Sequence, residues 1–209
     1  MNLGGTPAPD SYWTLAQPAE GLFKAKGSKH FGFVFPLTDL AEVTLHLQAL
    51  RKLHHAARHH CYAYRWGATG EIWRAQDDGE PAHSAGTPIL GALRSREVTH
   101  CLAVVVRYFG GTKLGVGGLM EAYREATLAA LDNAQLVEKW VEATLHVTLP
   151  CHLMGETMRV LKLHDARPDL PGFGVQCEVI CHIRKSRVEP LLQALNQLHG
   201  VQAQVLRTT

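Results

Sequence analysis

The densest chemical signal in this 209-residue chain is a glycine-rich run: Arg107-Tyr108-Phe109-Gly110-Gly111-Thr112-Lys113-Leu114-Gly115-Val116-Gly117-Gly118. Clustered glycines let a backbone take positive φ and turn several N–H groups toward one point. Set before a helix, they add the partial positive charge of its N-terminus, which suits a phosphate. The backbone of Gly110, Gly111, Gly115, Gly117 and Gly118, with Arg107 and Lys113 for full charge, is a candidate anion or nucleic-acid site. The Gly-x-x-x-x-Gly-Lys-Ser/Thr signature of a nucleotide P-loop is absent. The same glycines equally suit a tight turn and close helix–strand packing.

A second candidate is the acidic loop Asp77-Asp78-Gly79-Glu80-Pro81-Ala82-His83-Ser84-Ala85-Gly86. Its carboxylates with His83 can hold a divalent ion, and Ser84 with a His and an Asp can suggest a hydrolase. Neither spacing is specific: no Ca²⁺ loop and no Gly-x-Ser-x-Gly elbow is present. The plainer reading is a turn directed by Pro81, its carboxylates pairing with bases such as Arg107. The third candidate is His54-His55-Ala56-Ala57-Arg58-His59-His60-Cys61. His55 and His59 have the i, i+4 spacing of two helical ligands, yet no third ligand stands near. A basic patch of Arg58, His59, His60, Lys29 and Arg65 facing phosphate fits better. Tyr62, Tyr64, Trp66 and Trp73 interleave with bases and suit either base stacking or cross-strand packing. No catalytic residue, metal site or cofactor is assigned.

These residues need elements to position them. Tyr12–Ala16, Leu22–Lys26 and the alternating Phe31, Phe33 and Phe35 read as strands. Thr38 caps a helix whose stripe is Leu40, Val43, Leu47, Leu50 and Ala57. Cys61–Trp66 and Glu71–Ala75 form a hairpin around Gly67 to Gly70. Thr87-Pro88 opens a short helix to about Arg96. Cys101–Tyr108 is a strand covered on both faces, and a long helix runs from about Leu119 to Ala134. The pattern restarts near residues 137–142. Ala143–Leu149, a helix after Pro150 to about His164, the alternation Val175, Cys177, Val179, Cys181 and Ile183, a helix Val188–Leu198 and a strand Val201–Leu206 give a split βαβ order. The proline-bearing stretch Asp165–Phe173 is its weak edge strand. Two domains are expected, 1–137 and 142–209, with a frayed start to about residue 11.

The formal net charge is +2, from 21 Lys and Arg against 19 Asp and Glu. That excludes a chain-wide basic field but not a local one. From Leu22 to Trp66 there are seven Lys or Arg against Asp39 and Glu42, with six of the 13 His. From Glu71 to Glu80 there are four acids and one Arg. If those histidines face a ligand, binding strengthens between about pH 7.5 and 6. Five scattered Cys with no export signal read as free thiols in a cytoplasmic protein. Cys177 and Cys181 share a strand face roughly 13 Å apart, too far to bridge each other. No apolar run approaches the roughly 20 residues of a membrane helix.

Three segments together resemble the IMPACT family in its bacterial, YigZ-like branch: Arg58 to Arg65, Asp77 to Pro81 with Ser84 to Leu90, and Val105 to Gly115 with Gly117-Gly118-Leu119. Lys26-Gly27-Ser28-Lys29-His30-Phe31 is similar to a looser early element of that family. The likeness covers about residues 12–137 and weakens beyond. Ala82-His83 and the prolines of 165–173 depart from the pattern. The resemblance implies an α+β fold of two domains. The N-terminal one is like domain IV of elongation factor G, a ribosomal small-subunit protein and GHMP kinases; the C-terminal one is ferredoxin-like. It also implies translation-linked work, since eukaryotic members regulate translation through protein partners in the starvation response. The expectation is a non-enzymatic factor that binds RNA or the ribosome. A phosphate-ligand enzyme with Mg²⁺ on Asp77, Asp78 or Glu80, or a protein-interaction module, are the alternatives. Oligomeric state is not legible.

Overall fold

The computed structural model describes residues 10–169, 172–173 and 176–208. Val175 and residues 1–9 of the expected frayed start lie outside that set. Two compact units emerge: Tyr12–Lys139, and the chain from Trp140 onward together with Asp10 and Ser11. Asp10 and Ser11 are buried, against the expectation that fraying reaches them. The Asp10 carboxylate accepts the N–H and hydroxyl of Ser186, which hold its pKa low against the effect of burial.

The first unit is built on an antiparallel sheet. Its strands are β2 (Ala19–Ala25), β3 (Ser28–Pro36), β4 (His59–Trp66), β5 (Ile72–Gln76) and β6 (Cys101–Tyr108), in the order β2-β3-β6-β4-β5. The short β1 (Ser11–Leu15) pairs with β7 (Leu136–Trp140) in a separate ribbon. On β6, Cys101, Ala103 and Val105 face a core closed by α2 (Gly86–Ser95) and α3 (Gly115–Asp132). Leu102, Val104 and Val106 face a second core beneath α1 (Glu42–Leu53). Two-sided covering is why this strand is a continuous apolar run.

Three helix boundaries differ from the sequence expectation. Helix α1 starts at Glu42, whose carboxylate bonds back to the Thr38 hydroxyl and N–H at 2.5 and 3.0 Å, and it ends before His54. Ala57 lies beyond it, though it still packs against the same core. Helix α2 is not capped by Thr87. The Asp77 Oδ1 accepts the N–H groups of Ala85 and Gly86 at 3.0 and 2.8 Å, and Oδ2 accepts that of His83. Burial opposes its charge, but these three donors prevail and lower its pKa. Helix α3 begins at Gly115, four residues before Leu119, so three glycines fall in its first turn.

The second unit carries β8 (Glu142–Leu149), α4 (Met154–Leu163), β9 (Arg167–Pro168), β10 (Gly172–Phe173), β11 (Cys177–Arg184), α5 (Val188–Asn196) and β12 (Gln202–Thr208). The sheet order is β10-β11-β8-β12, with β9 also on β11, which is the ferredoxin-like arrangement. The weak edge strand is present as two short pieces, pairing separate parts of β11. Leu145, Val147, Leu149, Cys181 and Ile183 pack with Leu161, Leu191 and Leu195.

The expectation of five free thiols is corrected here. Cys151 and Cys177 form a disulfide, with Cα atoms 5.1 Å apart. Strand register explains it: Cys177 lies opposite Leu149, so Cys151 comes beside it as the chain leaves β8. Cys61, Cys101 and Cys181 are free and buried. Among the described residues no helix is long and apolar enough to cross a membrane.

Candidate functional site

The site grows from one cross-strand row. Arg107 on β6 lies opposite His30 on β3 and His59 on β4. All three occupy the sheet face covered by α3. Their alternation continues Val105, Val34 and Cys61 of that core. Arg107 is nearly buried, and its Nη1 donates to the Glu80 Oε1 at 2.5 Å. The same oxygen accepts the Tyr123 hydroxyl of α3 at 2.8 Å, and His59 Nε2 stands 3.9 Å away. The Arg107 Nε has no partner although its side chain is only 9% exposed.

Above this row opens a groove of about 900 Å³. Arg58, His59, Glu80, Pro81, Arg107, Lys113 and Gly115 line it, with Phe109, Leu114, Val116 and Leu119 as apolar walls. Parts of the glycine-rich turn, Arg58 and His59 of the basic segment, and Glu80 and Pro81 of the acidic loop therefore meet in one place. Three cationic side chains face one carboxylate, and that carboxylate is already bonded to Arg107 and Tyr123. Burial pushes the Tyr123 hydroxyl well above its ordinary range, so it stays a donor.

The glycines divide by role. A Cβ on Gly110 would sit 1.9 Å from the Gly27 carbonyl carbon, and the Gly110 N–H donates to Ser28 Oγ, so this glycine locks two turns together. Gly111 and Gly115 have φ of +89° and +75° with open space beside them. Those angles, not crowding, favour glycine there. Gly117 meets nothing within 4 Å and needs no positive φ; Gly118 would touch only the Leu114 Cβ, at 3.2 Å.

Other expected members lie elsewhere. Lys29 lines a neighbouring hollow of about 400 Å³ with Gly27, Phe31, His54, Tyr108 and Phe109. Tyr108 and Phe109 border both spaces. His60 is corrected: alternation on β4 turns it away from His59, and it is buried. Its backbone N–H donates to Asp78 Oδ2. Arg65 is corrected too. It lies six residues along β4 from His59, with Nη1 and Nη2 donating to the carbonyls of Val98 and Thr69 at 2.8 and 3.0 Å and Nε buried without a partner. His55 and His59 share no helix, because α1 ends at Leu53 and His59 opens β4. Burial also holds His30 and His60 below the ordinary histidine range, His30 at about 4, so neither adds charge to the groove.

The acidic loop is mostly structural. Asp77 caps α2, and Asp78 pairs with Arg51 at 3.0 Å while its carbonyl meets His59 Nδ1 at 2.9 Å. Asp78 and Gly79 both take positive φ, turning Glu80 into the groove. Pro81 lines the wall. The three carboxylates thus point to different partners, and no cluster of three or more His, Cys, Asp or Glu suited to a metal occurs among the described residues. The hairpin aromatics pack elsewhere: Tyr62 is buried, Trp66 lies against His100, and Trp73 lies under Arg94. Tyr123 and Phe109 were absent from the sequence-derived set. Their type and their nearness to the glycine run were the available signals.

A helix-covered antiparallel sheet with this cationic groove, followed by a ferredoxin-like unit, defines a two-unit α+β protein. The model of the Impact N-terminal domain matches residues 26–131. The "IMPACT family member YvyE" of Bacillus subtilis is 33% identical over 152 residues, 73% of this chain and 70% of the relative. The "IMPACT family member YigZ" of Escherichia coli is 34% identical over 144 residues, 68% of this chain and 70% of the relative. A crystal structure of a hypothetical protein aligns with a TM-score of 0.71 at 25% identity, covering 96% of this chain and 99% of that one. The chain belongs to the IMPACT family.

Proposed function

We propose that the groove holds the phosphate backbone of RNA, and that the protein is a non-enzymatic RNA- or ribosome-associated factor that modulates translation. The observation carrying this reading is the convergence of Arg58, Arg107 and Lys113 with the start of α3 in one groove. Among the described residues Arg58 and Lys113 are in no ion pair, so their charge is available to a ligand. Arg107 borders the groove, and its Nε is buried without a partner, as is that of Arg65. The carboxylates are occupied by protein groups, which favours binding over Mg²⁺-assisted chemistry.

The test is RNA binding by the whole protein across a salt series. Three phosphate contacts give a log–log slope of about −2 for a single strand, or roughly twenty-fold weaker binding at 200 mM than at 50 mM salt. Lys113→Gln is expected to reduce that slope by about 0.7. Salt-independent binding, or none at 50 mM salt, overturns the reading.

A further inference from the structure

Phe109 is a large apolar side chain left 58% exposed. It stands where the groove and the smaller hollow meet, bordering both. On one side lie Arg58, Arg107 and Lys113; on the other lies Lys29. The ring also lies 5.6 Å from the Arg107 guanidinium carbon.

Its support is stiff. The Gly110 backbone packs on Gly27 and donates to Ser28, which ties the turn after Phe109 to the turn before β3. Tyr108, the preceding residue, is held by a 3.0 Å hydrogen bond between its hydroxyl and His54 Nδ1. Gly111, just beyond, leaves the space beside it open. An aromatic face fixed in solvent between two cationic spaces matches a polymer that alternates negative charge with flat, apolar rings.

We propose that Phe109 is a base-stacking platform and that the ligand is a single-stranded RNA crossing both spaces. Its phosphates lie toward Arg58 and Lys113 on one side and Lys29 on the other. Bases in a duplex are already paired and stacked, so a duplex leaves the ring unused. This inference rests on the reading of the groove as a phosphate site and adds the strandedness of the ligand.

The experiment uses the full chain with an unstructured fluorescent RNA of about twelve nucleotides, free and annealed to its complement. The single strand is expected to bind at least about ten-fold tighter than the duplex. Phe109→Ala weakens the single strand about 5- to 100-fold without changing the salt slope, whereas Phe109→Trp retains binding. Unchanged thermal melting of both variants shows that the fold is kept, as the ring is exposed. Equal binding of the two RNAs, or full binding by Phe109→Ala while Lys113→Glu binds neither, overturns the stacking proposal and leaves the phosphate groove standing. No binding of either RNA by the wild-type protein overturns both.

Discussion

Replacing His30 by Phe tests the burial that underlies the groove. His30 is fully buried, stands edge-on to Tyr123 at 5.3 Å between ring centroids, and has neither ring nitrogen in a full hydrogen bond. Burial, and secondly the positive charge of Arg107, bring its pKa from 6.5 to about 4, with Glu80 and the Phe23 backbone opposing only in part. The unfolded chain takes up this proton near pH 6.5 and the folded chain only near pH 4. The stability due to keeping His30 neutral is therefore present above pH 6.5 and lost as pH falls toward 4. Between pH 7.5 and 4.5 the loss is about 2–3 kcal/mol, worth about 1 M in the urea midpoint. Phe preserves the ring packing and removes the proton. Urea unfolding followed by circular dichroism at each pH gives the comparison. The variant is expected to lose about 2–3 kcal/mol less than the wild type, other groups titrating alike in both. Parallel pH profiles would refute the claim that burial holds His30 neutral.

Two further outcomes follow from the same geometry. Glu80→Gln removes the charge facing Arg107 in a nearly buried pair; it is expected to cost about 3–5 kcal/mol in urea unfolding. The same change raises RNA affinity per folded molecule, because the groove keeps its cations and loses its carboxylate; unchanged stability counts against the Arg107–Glu80–Tyr123 bonding. Replacing Cys151 and Cys177 together by Ser opens a loop with a sequence separation of 26, for an expected loss of about 3 kcal/mol, read as faster proteolysis of the second unit. Dithiothreitol should reproduce that loss in the wild type and do nothing to the double variant.

The sequence was most readable where a local pattern carries the physics. Strand β6 is a continuous apolar run because both its faces are covered. The alternation of β8 and β11 reports a sheet with one packed face. Reading failed where the cause is distant in the chain. Glycine's low helix propensity hid the first turn of α3, which tertiary packing nevertheless keeps helical. No local signal marks Asp77 as the cap of α2 from eight and nine residues upstream. The Cys151–Cys177 bridge needs the β8–β11 register, which thiol spacing does not contain. The basic patch was half legible: composition found its charges, but alternation and length along β4 separate His60 and Arg65 from Arg58 and His59.

The central position of β6 has a consequence for hydrogen exchange. Arg107 sits on a strand bonded to β3 on one side and β4 on the other, with both faces buried. Amides there exchange only when the whole unit opens, whereas the glycine turn exchanges through local motion. A ligand held by Arg107 is lost in every such opening. Occupancy at a hundred times the dissociation constant would therefore slow exchange across β3, β4 and β6 together by about 100-fold. A ligand resting on the turn alone would protect only the turn, so the spread of protection separates a molecule bound to the floor of the groove from one bound at its rim.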